Sequence, residues 1–132
     1  MSNIKQYKKG VKTKITKNFS SNEFDCKCKN SNCQWTYIDV DHVKKLQKKR
    51  NKWKKPVKIT SGYRCEDYNR LVGGATKSRH KVGDATDFEV EGLSPKEAAN
   101  DCEDFDGLGR YDTFTHADSR GYKARWDFTK KK

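Results

Sequence analysis

The segment Ser78-Arg79-His80-Lys81-Val82-Gly83-Asp84-Ala85-Thr86-Asp87-Phe88 constrains this chain more than any other, because it sets a histidine and an aspartate seven positions apart across a glycine-containing turn. A single helix cannot bring both side chains to one small ion together with a distant third partner, whereas a loop, a turn and an adjacent strand can. After Gly83 the residues Ala85–Val90 alternate as in a strand, with Ala85, Asp87 and Glu89 on one face and Thr86, Phe88 and Val90 on the other. Downstream, Phe114-Thr115-His116-Ala117-Asp118 reads as a second strand, and Asp112, Phe114, His116 and Asp118 share a side of it. Pairing of these two strands would set His116 opposite Asp87. Two neutral imidazoles and one carboxylate form the donor set of a zinc ion that keeps one coordination position open. With one negative ligand the ion keeps a charge of about +1 and stays a Lewis acid suited to hydrolysis, most simply of an amide. Taken alone, a histidine with an aspartate nearby is more often a structural pair, and other motifs must decide.

The rest of the chain frames this segment. At 132 residues it is most simply one domain with a small core, since only 32% of residues are hydrophobic and 36% are charged. From Asp39 onward, Val40, Val43, Leu46 and Trp53 fall on one helical stripe among lysines, and Pro56 stops the pattern. Val57-Lys58-Ile59-Thr60 reads as a strand, and a short helix is expected at 67–71, before Gly73-Gly74. Ser94-Pro95-Lys96-Glu97 opens another helix with a capping box, and Ser20 and Glu23 have the same spacing. Gly107-Leu108-Gly109 ends this excursion and leads to the strand through 114–118. A hairpin turning near Gly121 would bring Ala124-Arg125-Trp126-Asp127-Phe128 back as a last strand. The class is therefore α+β, a small antiparallel sheet with flanking helices. Its domain occupies residues 19–128, between a basic arm at 1–18, holding a short strand within 11–16, and a basic tail at 129–132.

The formal charge of +12 is unevenly spread: residues 1–17, 44–58 and 129–132 hold 18 of the 30 basic side chains and no acid. The excess thus lies away from the His/Asp segment, on surfaces that would concentrate the protein on a polyanion such as nucleic acid, anionic lipid or cell-wall polymer. The 44–58 helix lacks the arginine and aromatic interleaving of a nucleic-acid reader, which makes nucleic acid an unlikely partner. No apolar run has the length of a membrane span, and the N-terminal lysines precede no apolar signal segment. The expectation is synthesis in the cytoplasm and action elsewhere after release.

Five cysteines, an odd number, argue against a complete disulfide framework. Cys26, Cys28 and Cys33 are close enough to hold a structural zinc ion with Cys65 or His42 as fourth ligand. The other readings are reduced thiols lining a tight loop, or one local disulfide.

Several motifs in order carry a resemblance: Ile59-Thr60-Ser61-Gly62-Tyr63-Arg64-Cys65, then Asn69, Gly73-Gly74-Ala75, and Ser78-x-His80-x-x-Gly83-x-Ala85-x-Asp87. Gly107-x-Gly109-x-Tyr111, Phe114-x-His116-x-Asp118 and Ala124-Arg125-Trp126 follow. Together, over residues 19 to 126, they resemble the M15 peptidase family, in the branch of zinc D-alanyl-D-alanine carboxypeptidases and murein endopeptidases whose fold is shared with the hedgehog signalling domain. The resemblance implies that His80, Asp87 and His116 are zinc ligands, that Arg64 holds the substrate carbonyl and stabilises the oxyanion, and that Ser78 contacts substrate. One departure stands out. The better-known members carry an acidic general base three residues before the last histidine ligand, and here that position is Thr113. The base would then be Asp118 or Asp112, and Asp118 could equally orient an imidazole or Arg120.

The leading expectation is a zinc peptidase acting on peptidoglycan stem peptides or cross-links, in the manner of a phage endolysin. The alternative is a non-enzymatic virion or wall-docking protein that keeps the fold, with its lysine-rich ends held by other virion proteins.

Overall fold

The computed structural model describes residues 3–130. Its first strand, β1 (Ile4–Lys8), pairs antiparallel with β2 (Trp35–Asp39), from Ile4 opposite Asp39 to Lys8 opposite Trp35. The basic N-terminal segment is thus joined to the domain at 4–8, and where a strand was expected within 11–16 only a single bridge forms, Lys14 to Ser20. The 3-10 turn Ser21–Phe24 follows, with the Glu23 carboxylate accepting the Ser20 N–H at 2.7 Å. It turns Phe24 into the core beside Phe19. Of the tail expected at 129–132, positions 131 and 132 lie outside the described residues.

Helix α1 (Val40–Trp53) begins where the sequence places it, because the Asp39 carboxylate accepts the N–H groups of Asp41 and His42 at 3.0 and 3.3 Å. Its apolar stripe is buried as expected; each such Val, Leu or Trp side chain contributes roughly 1.5–3 kcal/mol to the folded state. The helix ends at Trp53 with Lys54 in the left-handed region (φ 55°), two residues before Pro56. Trp53 Nε1–H donates to Asp101 at 2.7 Å, and Lys49 pairs with Asp104 at 2.8 Å, which fastens the basic helix to the acidic end of α3 (Pro95–Asn100). Helix α2 (Glu66–Leu71) is the other short helix.

A five-stranded sheet carries the remainder, in the order β3-β4-β6-β5-β7, made of β3 (Val57–Ser61), β4 (Ala85–Val90), β5 (Gly107–Arg110), β6 (Thr115–Asp118) and β7 (Ala124–Asp127). One face of β4 packs Phe88 and Val90 into the core with Leu46, Trp53, Ala98, Phe105 and Leu108. Two expectations are corrected here. Gly107-Leu108-Gly109 does not merely end the excursion and lead to a strand but is itself part of one, and β7 does not fold back on β6 as a hairpin but pairs parallel with β5. Both follow from what stands beside the glycines: a Cβ at Gly107 would overlap the Asp118 carboxylate, and one at Gly109 the Trp126 indole. The strand is written in glycine so that neighbouring side chains can lie across it.

Candidate metal centre

The register of the sheet builds the site. Asp87 on β4 pairs with His116 on β6, as the period-two reading required, and His116 pairs with Gly109 on β5, which pairs with Trp126 on β7. Ser61 on β3 completes the row beside Asp87. His80 comes from outside the sheet, on the 3-10 turn Arg79–Lys81, where the Ser78 hydroxyl accepts the His80 N–H at 3.3 Å.

These residues meet. Asp87 Oδ1 lies 3.2 Å from His80 Nε2 and 2.9 Å from His116 Nδ1. One donor atom from each of His80, Asp87 and His116 falls within 4.8 Å of the others, and all three residues are buried. The far nitrogen of each imidazole is also held. His80 Nδ1 is 2.7 Å from the Gly62 carbonyl, so it carries a proton and leaves Nε2 as a donor atom for a metal. His116 Nε2 is 2.8 Å from Asp118 Oδ2, which leaves Nδ1 facing Asp87. Fixing the outer nitrogen is what sets tautomer and ring orientation at metal sites, so the donor set fits a zinc ion.

The electrostatics agree. Burial pushes the Asp87 carboxyl upward, but the His116 and His80 imidazoles against it outweigh that and hold it well below the usual carboxylate range. Asp118 behaves alike, with burial opposed by His116 and by Arg120, whose Nε and Nη2 donate to its two oxygens at 2.9 and 2.7 Å. For His116 burial favours the neutral ring, yet Asp118 and Asp87 together raise its pKa.

Above the cluster lies a cleft of about 640 Å³, lined by Arg64, Ser78, Tyr111, Phe114, Trp126 and Phe128 among others. Arg64 is anchored by three partners: Ser61 Oγ at 3.1 Å, Asn69 Oδ1 at 3.2 Å and Asp87 Oδ2 at 3.5 Å. Asn69 in turn donates to the Ala75 carbonyl at 2.9 Å. The Ser61, Asn69 and Ala75 of the sequence motifs thereby serve one purpose, the aim of a guanidinium. Lys77, Arg79 and Arg120 also line the cleft, so positive charge reaches the centre and is not confined to the surfaces marked by composition.

Residues 17–118 match the Peptidase M15 family. The chain belongs to the M15 peptidases. No curated protein matches it. An M15 member is a metallopeptidase by family, and such peptidases are typically zinc-dependent, in keeping with the donor set of His80, Asp87 and His116.

The two carboxylates expected to supply the M15 general base are placed differently from that expectation. Asp118 is fully buried and committed to His116 Nε2 and Arg120, on the side of the imidazole away from Asp87. Asp112 is exposed, accepts the Lys130 N–H at 3.2 Å and lines a separate cavity with Ser94 and Asn100. The backbone bends at 112 and 113 before β6 begins, so the alternation that put Asp112 beside His116 does not extend that far. Thr113 is exposed and faces a third cavity beside Phe88 and Leu93. Among the described residues lining the cleft, Asp87 is the one carboxylate.

The sequence reading missed the aromatic wall. Tyr111 stacks on Phe114 with centroids 4.3 Å apart, Trp126 Nε1–H donates to the Tyr111 hydroxyl at 2.9 Å, and the Trp126 ring lies 4.9 Å from His116. The signal was the pair of glycines in β5, whose missing side chains admit that indole. His42, offered as a thiolate partner, is instead buried between Ser119 Oγ at 2.7 Å and Thr86 Oγ1 at 3.0 Å.

Proposed function

We propose that this M15 member is a zinc-dependent peptidase that hydrolyses peptide bonds in peptidoglycan stem peptides or cross-links. The observation that carries the reading is the convergence of His80, Asp87 and His116 beneath a cleft that also presents Arg64. A zinc ion held there supplies a Lewis acid that lowers the pKa of water to about 7 and polarises a carbonyl. The chain does the rest. Arg64, fixed on Ser61 and Asn69, offers permanent N–H donors to the oxygen that becomes negative as the amide carbon turns tetrahedral. Ser78 holds the His80 turn and faces the cleft, where its hydroxyl meets substrate. Asp118 acts through His116 as a positioning residue, keeping the proton on Nε2 and Nδ1 free as a donor. Tyr111, Phe114 and Trp126 form an apolar wall that excludes water from one side of the peptide.

The cleft's basic rim, with Arg64 and Lys77, suits the carboxylate-bearing peptides of the bacterial wall, and the surface lysines suit anionic wall polymers, as in a phage endolysin. Purified sacculi incubated with the protein, with and without chelator, test this: new muropeptide termini are expected in the first case and none in the second. Unchanged muropeptides with zinc bound would sink the peptidase reading. That outcome would favour a virion or wall-docking protein without hydrolysis, for which the specific observation is the lack of a second carboxylate among the described cleft residues.

A further inference from the structure

A second donor cluster lies away from the cleft. One sulfur from each of Cys26, Cys28, Cys33 and Cys65 falls within 4.8 Å of the other three. Three come from the loop between the 3-10 turn at Ser21–Phe24 and β2, and the fourth follows Arg64 directly and precedes α2. We propose that these four cysteines bind one zinc ion as a tetrathiolate, which fastens the 26–34 loop to the segment bearing Arg64.

The distances favour an ion over a disulfide. Cys26 Sγ and Cys65 Sγ are 3.6 Å apart. A disulfide needs about 2.05 Å, whereas four sulfurs tetrahedrally placed at about 2.3 Å from zinc stand about 3.8 Å from one another. All five cysteines of the chain are free thiols. The surroundings suit the two net negative charges of a zinc tetrathiolate: the Lys9 ammonium lies 3.4 Å from Cys28 Sγ, and the Cys65 N–H donates to Cys26 Sγ at 3.4 Å.

The loop itself supplies the strongest argument. From residue 27 to 35 every side chain is exposed except Cys28 and Cys33, and residues 26–34 form no helix or strand. A segment of Lys, Asn, Ser and Gln has nothing apolar to bury and meets the β1–β2 ladder only at its last residue, where the Lys9 N–H donates to the Gln34 carbonyl at 2.8 Å, so its ordering entropy must be offset by another interaction. Convergent thiols with a bound ion provide it, since zinc held only by the folded state stabilises that state. His42 is excluded as fourth ligand by its place under the sheet, and Cys65, a distant position in the chain, takes that role.

The consequence reaches the cleft through the backbone. Tyr63 N–H donates to the Phe24 carbonyl at 2.8 Å, so residues 63–65 run beside 24–26 with Cys65 and Cys26 at one end and Arg64 between. The thiolate site therefore positions the Arg64 loop, while its metal binding does not depend on whether the protein cleaves peptidoglycan.

The full chain, purified without chelator, is expected to carry two zinc ions by elemental analysis, and the His80→Ala/His116→Ala variant one. Loading that variant with cobalt should give thiolate-to-cobalt charge-transfer absorption, which a His/Asp site cannot produce. Mercurial titration of the native protein should release that zinc as four thiols react, with Cys102 silent because it is fully buried and its thiol is pushed up to about 12. Cys65→Ser should lose the thiolate zinc and keep the other. A zinc-free His80→Ala/His116→Ala variant, four thiols that titrate without releasing metal, or a non-reducing mass showing a disulfide would each overturn the assignment, and none requires a cysteine variant to fold.

Discussion

The two donor clusters are built on opposite kinds of support. Asp87 and His116 rest on paired strands of fixed register and His80 on a capped 3-10 turn, and the cluster's other polar atoms have partners of their own: Gly62, Asp118 and Arg64. Cys26, Cys28 and Cys33 rest on a loop that is largely exposed beyond Cys26 and belongs to no helix or strand, tied to the domain besides its sulfurs by a few hydrogen bonds from Lys9 and Lys27. Geometry at the first is supplied by the fold and offered to an ion; at the second, the ion supplies the geometry. Chemistry should therefore fail when the first cluster is altered, and stability should fall when the second is.

The largest effect separates them directly. His116→Ala should remove the cleft zinc and reduce muropeptide cleavage to background, while lowering the thermal midpoint less than Cys65→Ser does. Metal content, activity and melting of the two variants on one day decide it; a His116→Ala protein that melts first would break the contrast. Next in size is Arg64→Ala, which removes an oxyanion donor and should cost about 10²–10³ in kcat with both zinc ions retained. Because Arg64 hangs between the two clusters, a variant that lost the thiolate zinc would show that the guanidinium supports the loop instead of the reverse.

Asp118→Asn is smaller and sharper. If Asp118 works only by holding His116, weakening that bond should cost about 10–100-fold in zinc affinity or activity, measured by competition with a chromophoric chelator. Complete loss of cleavage with zinc affinity unchanged would instead make Asp118 the proton acceptor.

What could be read from the sequence follows the same division. Helix α1 was legible because its stripe and its Asp39 cap are local, and the pairing of Asp87 with His116 because alternation in two strands is local too. Strand β5 was not, since its glycines are explained only by Asp118 and Trp126 crossing over them, and β1 was not, since Ile4 to Lys8 owe their pairing to β2. Asp112 was placed beside His116 by extending an alternation through a bend that no residue type announces. Cys65 was legible as one of two candidate fourth partners of the thiols, and only the approach of 24–26 to 63–65 decides between it and His42.

The smallest expected effect tests whether the sheet also has a stability signature of its own. His42 reaches from α1 to the underside of β4, between Thr86 and Ser119, with the Phe105 ring 5.3 Å away. Burial holds its pKa down to about 3; Asp118 raises it somewhat, and His116, Lys45 and His80 lower it. In the unfolded chain an imidazole titrates near 6.5. Between those values the unfolded state binds a proton that the native state refuses, so this contribution to stability is complete above about pH 6.5 and is lost as pH falls toward 3. From pH 7 to pH 5 the loss should be about 2 kcal/mol. Urea unfolding at both pH values, compared between the native chain and His42→Gln, isolates it: the native chain should lose about that much more than the variant. The thiolate cluster is acid-sensitive as well, because protonated sulfur releases zinc, and the subtraction removes that contribution since both proteins keep all four cysteines. If the variant loses as much stability as the native chain, acid acts through other groups that both proteins keep, the two donor clusters among them, and His42 carries no titratable weakness.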